Sequence, residues 1–287
     1  MTSQTIYLAT TWIIPVLVAI TFHEAAHGLA AHLLGDDTAW RLGRVSFNPL
    51  KHIDPVGTIL LPGILLLVHS PFLFGYAKPV PVNFRALRNP RRDMVLVAAA
   101  GPAMNIALAV VAALLFHLVG YLPPTLAPWV TENLKNGLII NVLLAVFNLF
   151  PIPPLDGGRI LVGILPKAMA APVARLEPYG LAILLGVLIV LPLLGAQLGV
   201  DLNIVSRVIR VVTGAILEGI LRLTGNVYSG CAGRRPASNA RPPSEQAWLV
   251  RADGSHDPIT RPVAKNVRNQ ASAFSILKKA VWRARQA

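Results

Sequence analysis

The feature that most constrains this 287-residue chain is a series of apolar stretches of the length that crosses a lipid bilayer. About 20 mostly apolar residues in helical conformation span the hydrocarbon core of a bilayer. We predict such stretches at five positions: 8–34, 94–119, 137–150, 179–198 and 204–223. The last contains four charged residues, so an amphipathic helix on the membrane surface is its alternative. The sequence therefore predicts an all-α polytopic membrane protein, a bundle of five to six transmembrane helices.

The composition excludes most other classes of protein. Hydrophobic residues make up 54% of the chain and charged residues 14%, whereas soluble domains average about 45–50% and about 25%. An ordinary soluble globule is therefore excluded, and so is a chain that is disordered throughout. The single cysteine, Cys231, excludes a disulfide scaffold and a cysteine-ligated zinc finger.

Residues 57–72 form a sixth apolar stretch, which proline and glycine interrupt. The loops on both sides of it are basic, and basic loops tend to stay on the cytoplasmic side of a membrane. We therefore predict a re-entrant segment, which keeps both loops in the cytoplasm. Non-helical backbone at that depth must pack on protein or line a wet cavity, which implies a site nearby. Short β pieces are expected at 41–47 and 80–84, near the cytoplasmic face.

The chain divides by charge after residue 225. Residues 226–287 contain eleven Lys and Arg against three acidic residues, more than half of the net charge of +13. We predict that residues 1–225 are the membrane-embedded domain and that 226–287 form a basic, disordered cytoplasmic tail. Binding of this tail to anionic lipid headgroups is the alternative. Aromatic residues are too few in the tail to predict nucleic-acid binding.

The first predicted span contains the pattern His-Glu-x-x-His, from His23 to His27. On a helix, residues i and i+4 share one face, so both imidazoles can bind one metal ion. Glu24, beside the first histidine, can act as a general base toward a water on that metal. Ionisable residues inside an apolar span are costly and indicate a functional site. A buried polar cluster that only fixes helix packing is the alternative.

A catalytic zinc site needs a third protein ligand, and the sequence favours Asp156. This residue follows an apolar span and the helix-breaking prolines of segment 151–154, and it precedes two glycines that let backbone approach closely. With the topology above, it lies at the cytoplasmic end of its span, at a depth similar to that of the two histidines. A helix cap or turn is the alternative role of Asp156. The other candidate histidines are His32, His52, His69, His117 and His256.

Three ordered segments resemble the signature motifs of the site-2 protease family, zinc metalloproteases that cut within or beside membrane helices. These are residues 22–27 (FHEAAH), 101–105 (GPAMN) and 148–158 (NLFPIPPLDGG). Residues 48–58 and 77–83 are similar to the small bacterial branch of that family, which lacks a PDZ domain between the motifs. By this resemblance, one zinc ion per chain is held by His23, His27 and Asp156, and Glu24 is the catalytic acid–base.

The resemblance implies an enzyme of the inner cell membrane whose active site faces the cytoplasm. Its partners are then the lipid bilayer and a transmembrane protein substrate, cleaved within or next to a helix in regulated intramembrane proteolysis. A catalytically inactive zinc-binding scaffold and a zinc-binding transporter are the alternatives. The intact Glu24 argues against the scaffold. Few acidic residues or histidines lie at successive depths of the other spans, which argues against the transporter.

Two asparagines in apolar spans are further candidates for the site. Asn148 and Asn105 carry amides where an unpaired polar group costs several kcal/mol. Asn148, eight residues before Asp156, is a candidate to orient the substrate carbonyl or to bind the developing oxyanion, and Asn105 is a second. Interhelical hydrogen bonding is the alternative role of both side chains.

Overall fold

The computed structural model of the protein describes residues 3–60, 63, 64, 67 and 77–226. Met1–Thr224 form one compact unit, and the described part of it is mostly helical. The predicted basic tail lies, from residue 227 onward, outside the described residues, and its disorder stays a prediction. Most of the predicted re-entrant segment lies outside them too; Pro55–Leu60, at its start, form a π-helical turn.

The described residues form α-helices of very different lengths. In chain order they are α1 (Ser3–Leu33), α2 (Thr38–Arg41), α3 (Pro90–Leu115), α4 (Ala127–Asn148), α5 (Asp156–Ile164), α6 (Lys167–Ala174), α7 (Gly180–Leu185), α8 (Leu191–Gln197) and α9 (Ile204–Leu223). Short 3₁₀ turns occur at Pro49–Lys51, Phe116–Tyr121 and Glu177–Tyr179. A π-helical turn, Gly186–Val190, joins α7 to α8.

Four helical segments among the described residues are long and apolar enough to cross a membrane. They are Ala9–Leu33, Pro90–Tyr121, Ala127–Asn148 and Lys167–Gln197. They overlap the first four predicted spans, although the third and fourth begin ten and twelve residues earlier than predicted. The fifth predicted span is also a helix, α9, but its four charged side chains keep it outside this group. Among the described residues, the structure therefore supports four of the predicted five to six spans.

Helix α4 begins ten residues before the predicted span at 137–150, because its polar first half finds partners inside the fold. Lys135 and Glu132 form an ion pair one turn apart. The Asn136 side chain is buried, and its amide donates to the Thr11 carbonyl of α1 over 2.9 Å. A polar residue in an apolar span costs little free energy once its hydrogen bonds are satisfied.

Helices α1, α3 and α4 pack against one another and form the core around the site. Small side chains dominate the fully buried positions, including Ala19 of α1, Ala109 and Ala113 of α3, and Ala145 of α4. Small residues let helix backbones approach closely, which is the main source of packing energy between helices in a membrane. This close packing brings backbone carbonyls and amide side chains of α3 and α4 within reach of polar groups on α1.

The prediction of short β pieces at 41–47 and 80–84 is wrong, since the described residues contain no strand. Side chains take the place of a neighbouring strand as hydrogen-bond partners. The Val80 N–H donates to Glu24, and the Asn83 N–H donates to Asp36. In the other segment, the Ser46 carbonyl accepts from the His52 ring. These backbone groups are satisfied without a β ladder.

Candidate active site

Helix α1 places His23 and His27 on one face, one turn apart. Both side chains are buried, with 7% and 8% of their surface exposed. Their Nε2 atoms lie 3.0 Å apart, and the two rings are nearly perpendicular, at 86°. The i, i+4 spacing of the motif therefore brings the two imidazole nitrogens together, as the helical periodicity predicts.

Asp156, the first residue of α5, completes the group. Its carboxylate Oδ2 lies 3.2 Å from Nε2 of His23 and 3.3 Å from Nε2 of His27. The following glycine pair allows α5 to start against the preceding turn: a Cβ on Gly158 would lie 2.7 Å from the Pro153 nitrogen. The structure thus brings together the three predicted ligands, and their ligand atoms form a buried group that could hold a metal ion.

The distances within this group fit a tetrahedral metal. Ligand atoms about 2.0–2.1 Å from a tetrahedral zinc ion lie about 3.3 Å from one another, which matches the three separations of 3.0, 3.2 and 3.3 Å. Asp156 Oδ2 is buried and makes no hydrogen bond of good geometry to any described group. With neutral imidazoles, three acceptor atoms would crowd together without a donor, and a cation among them satisfies all three.

The other ring nitrogen of each histidine contacts α3. His27 Nδ1 lies 2.7 Å from the Val97 carbonyl oxygen, which can only accept, so Nδ1 carries the hydrogen. His23 Nδ1 lies 2.6 Å from Asn105 Oδ1. A metal-ligating histidine commonly donates its second N–H to such a partner, which fixes the ring and leaves Nε2 free for the metal. Sequence reasoning missed the Val97 carbonyl, because every residue carries one.

Gly101 of α3 lies directly against the two imidazoles. A Cβ at this position would overlap His27 Nε2 and would lie 2.6 Å from His23 Cε1. Any residue with a Cβ atom would therefore clash with the two rings at this position. The motif at residues 101–105 begins with this glycine, but the sequence alone did not show that it touches the predicted ligands.

Glu24, the residue after His23 on α1, is half-buried. Its carboxylate Oε2 accepts a hydrogen bond of 2.9 Å from the backbone N–H of Val80. We call residues 77–83 the strap. It has no regular secondary structure, its two prolines favour an extended backbone, and the Arg44 guanidinium holds its Lys78 carbonyl at 3.0 Å. The predicted general base is thus positioned by a segment far away in the sequence.

The two predicted asparagines occupy different surroundings. Asn148, the last residue of α4, is half-buried and donates from Nδ2 to the Leu144 carbonyl over 3.0 Å. Asn105 is fully buried behind His23. Its Nδ2 donates to the Ala19 carbonyl at 3.1 Å and to Asn141 Oδ1 at 2.9 Å. Sequence reasoning did not single out Asn141.

The other candidate histidines have separate partners. His32 pairs with Asp37 at 2.7 Å and stacks on Trp40. The buried His52 ring lies 2.8 Å from the Ser46 carbonyl, and His117 lies 2.7 Å from the Thr224 carbonyl. His69 and His256 lie outside the described residues.

Comparisons with known proteins point to membrane zinc metalloproteases. A sequence model of peptidase family M50 matches residues 125–191. YwhC of Bacillus subtilis, named as a candidate zinc metalloprotease, is 41% identical over 185 residues, which cover 63% of this chain and 80% of YwhC. Rip2 of Mycolicibacterium smegmatis, named likewise, is 29% identical over 60% of this chain. A similarly named protein of Methanocaldococcus jannaschii is 42% identical over 49% of this chain.

The matched regions cover 64% of Rip2 and 63% of the Methanocaldococcus protein, less than two thirds of each. No solved structure matches the chain at a significant level.

Proposed function

Because this chain belongs to peptidase family M50, the site-2 proteases, we propose that it hydrolyses peptide bonds within or next to transmembrane helices of other membrane proteins. It is a multi-pass membrane zinc metalloprotease. The observation that carries the proposal is the convergence of His23, His27 and Asp156 inside an apolar bundle, with the carboxylate of Glu24 on the adjacent residue.

The residues divide the chemistry between binding and proton transfer. His23, His27 and Asp156 would hold one zinc ion per chain. Bound zinc supplies Lewis acidity, which activates a water molecule and polarises a carbonyl. Glu24 accepts a proton from the attacking water and then delivers it to the leaving amine. The Val80 N–H holds the carboxylate of Glu24 in place for this transfer.

Asn148 is our candidate for the group that receives the substrate carbonyl. Its Nδ2 has two hydrogens, and the bond to the Leu144 carbonyl uses one of them. The second can donate to a substrate oxygen and stabilise the negative charge that develops there. Both hydrogens of Asn105 Nδ2 donate within the bundle, so we assign Asn105 to support of His23, in line with the interhelical alternative.

A helical substrate hides its carbonyls in i→i−4 hydrogen bonds, so it must unwind before it reaches this site. We therefore propose substrates with helix-weakening Gly, Pro or Asn near the scissile bond.

We also propose that the protein lies in the inner cell membrane and that its site opens toward the cytoplasm. The exposed basic residues around the strap support this orientation. Single cysteines at Arg41 and Arg88, in a background without Cys231, should then both react with an impermeant reagent from the cytoplasmic side only.

The decisive experiment compares zinc content and cleavage for the full chain in detergent. Glu24→Gln keeps the shape of the side chain but cannot accept the proton. We expect a full equivalent of zinc and a rate of cleavage of a transmembrane peptide lower by about 10²–10⁴-fold. Glu177→Gln is the matched control, since this exposed carboxylate pairs with Arg159 away from the site. Near-normal cleavage by Glu24→Gln would favour the scaffold or transporter alternatives.

A further inference from the structure

A chain of buried amides links His23 to two backbone carbonyls that lie away from the metal group. Asn141 Nδ2 donates to the Gly137 carbonyl over 2.8 Å. Asn141 Oδ1 accepts from Asn105 Nδ2 at 2.9 Å, and Asn105 Oδ1 lies 2.6 Å from His23 Nδ1. Asn105 Nδ2 also donates to the Ala19 carbonyl at 3.1 Å. We call Asn105 and Asn141 the amide relay.

The hydrogen-bond directions of the relay follow from its two ends. The carbonyls of Gly137 and Ala19 can only accept, so the NH₂ group of each asparagine must face them. Asn141 must then present its oxygen to Asn105, and Asn105 must present its oxygen to the ring of His23. An amide oxygen can only accept, so Nδ1 of His23 carries the hydrogen and Nε2 carries the lone pair. The direction of each hydrogen bond in the series therefore fixes the direction of the next.

We propose that Asn141 is a positioning residue for the metal site, although Asn105 lies between it and His23. By orienting Asn105, it fixes the tautomer and ring angle of His23 that zinc requires. Partners of ligating histidines outside the ligand shell commonly change metal affinity by 10–100-fold. The inference rests on the zinc site of the proposed function, but it does not depend on which substrate is cleaved or on whether cleavage occurs.

Helix α4 offers a matched comparison for this role. Asn136 is an equally buried amide on the same helix, and it also donates to a carbonyl of α1, that of Thr11. Its bond fixes the packing of α1 on α4 without orienting a ligand. A purely structural role of buried amides would make Asn141 and Asn136 equivalent, whereas the relay makes them different.

The test measures zinc affinity by chelator competition on the full chain in detergent. Asn141→Leu should lower the affinity by about tenfold, the lower end of the range for such partners. Asn136→Leu should leave it within about twofold of the wild type, with a comparable loss of thermal stability. Asn141→Asp should restore the affinity, because a buried carboxyl is protonated and donates to Gly137 while its other oxygen accepts from Asn105.

Two further measurements separate positioning from damage to the fold. Replacing zinc by Co²⁺ gives a visible spectrum that reports the ligand geometry; it should change in Asn141→Leu and stay unchanged in Asn136→Leu. If Asn141→Leu does not fold, Asn141→Ser keeps the Gly137 bond but is too short to reach Asn105, and it should show the same loss of affinity. Wild-type zinc affinity in Asn141→Leu and Asn141→Ser overturns the inference, as does an equal loss in Asn136→Leu.

Discussion

The two sides of helix α1 at the site are built differently. The ligand side, with His23 and His27, is supported by groups on α3: the Val97 carbonyl, the Asn105 amide and the space left by Gly101. The base side, with Glu24, is supported by the strap, whose Val80 N–H is a single backbone donor. One side is held by packed helices and the other by an extended segment.

This difference separates metal binding from proton transfer. On the ligand side, each supporting group belongs to a helix whose backbone is fixed by its own hydrogen bonds, so the metal geometry is preorganised. On the base side, Pro79 and Pro81 flank Val80 and have no N–H to donate. The carboxylate of Glu24 therefore depends on one hydrogen bond of the strap. Changes on the ligand side should alter zinc affinity, and changes on the base side should alter turnover alone.

The largest expected effect is the loss of a ligand. His27→Ala leaves two ligands for the metal, so we expect no zinc to remain after dialysis and no detectable cleavage. His32→Ala is the matched control on the same helix, since its ring pairs with Asp37 outside the group. Metal analysis of the purified full chain checks both variants. A full equivalent of zinc in His27→Ala would contradict the ligand assignment.

A pair of glycine variants compares the two sides directly. Gly101→Ala places a methyl group against ring atoms of both ligands, so we expect at least a tenfold loss of zinc affinity. Gly28→Ala instead places a methyl group 2.8 Å from a Val45 methyl and 3.0 Å from a Val80 methyl, so these stiff side chains and the strap must move, but the two histidines need not. It should keep zinc and lose only part of its turnover. Chelator competition and cleavage kinetics on both variants measure these effects. Equal losses of zinc affinity and of turnover in the two variants would show that the two sides are equivalent.

The ligand side was the more predictable from the sequence, because the spacing within a helix fixes which side chains share a face. His23, His27 and Asp156 were therefore found from the motif and from the break between α4 and α5. The four spans were found from their apolar length. The early start of α4 was not, because Asn136 becomes tolerable only through its hydrogen bond to α1.

The support of Glu24 could not be predicted, because its partner is a backbone N–H 56 residues away in the chain. An N–H group is present at every residue but proline, so no residue pattern identifies the one that is used. Residues 80–84 were predicted as a β piece, and the sequence of an extended segment looks the same whether its partner is a strand or a carboxylate. Only the folded structure shows which of these partners the segment has.

A smaller effect is expected from removing the strap's hydrogen bond to the base. Val80→Pro deletes the N–H while keeping an extended backbone. A hydrogen bond to a charged group contributes about 1.5–3 kcal/mol, so we expect turnover to fall by about tenfold or more. Zinc content should stay at one equivalent. Val80→Ala is the control that keeps the N–H; an equal loss of turnover in that variant would assign the effect to packing on Gly28.

The smallest effect concerns Asp36, which anchors the strap to the end of α1. Its carboxylate accepts from the Asn83 N–H at 2.6 Å and from the Thr38 N–H at 2.9 Å. Burial raises the pKa of this carboxyl, but the hydrogen bonds from Thr38 and Asn83 together lower it by more, so that the pKa lies below its ordinary value. A lowered pKa in the folded state means that the ionised form stabilises the fold.

The stabilisation should therefore be complete above the pKa of the unfolded chain, about 3.9, and should disappear as the pH falls through the lower pKa of the folded state. Asp36→Asn loses one acceptor, so we expect its melting temperature at pH 7 to be a few degrees lower. The difference from the wild type should shrink toward pH 3. Thermal unfolding in detergent across this range measures it, with the exposed Glu177→Gln as the control. Because Asp36 bonds to the strap and to Thr38 of α2 and not to the ligand side, its loss should leave zinc affinity unchanged, whereas a fall in affinity would show that the two sides of α1 are coupled.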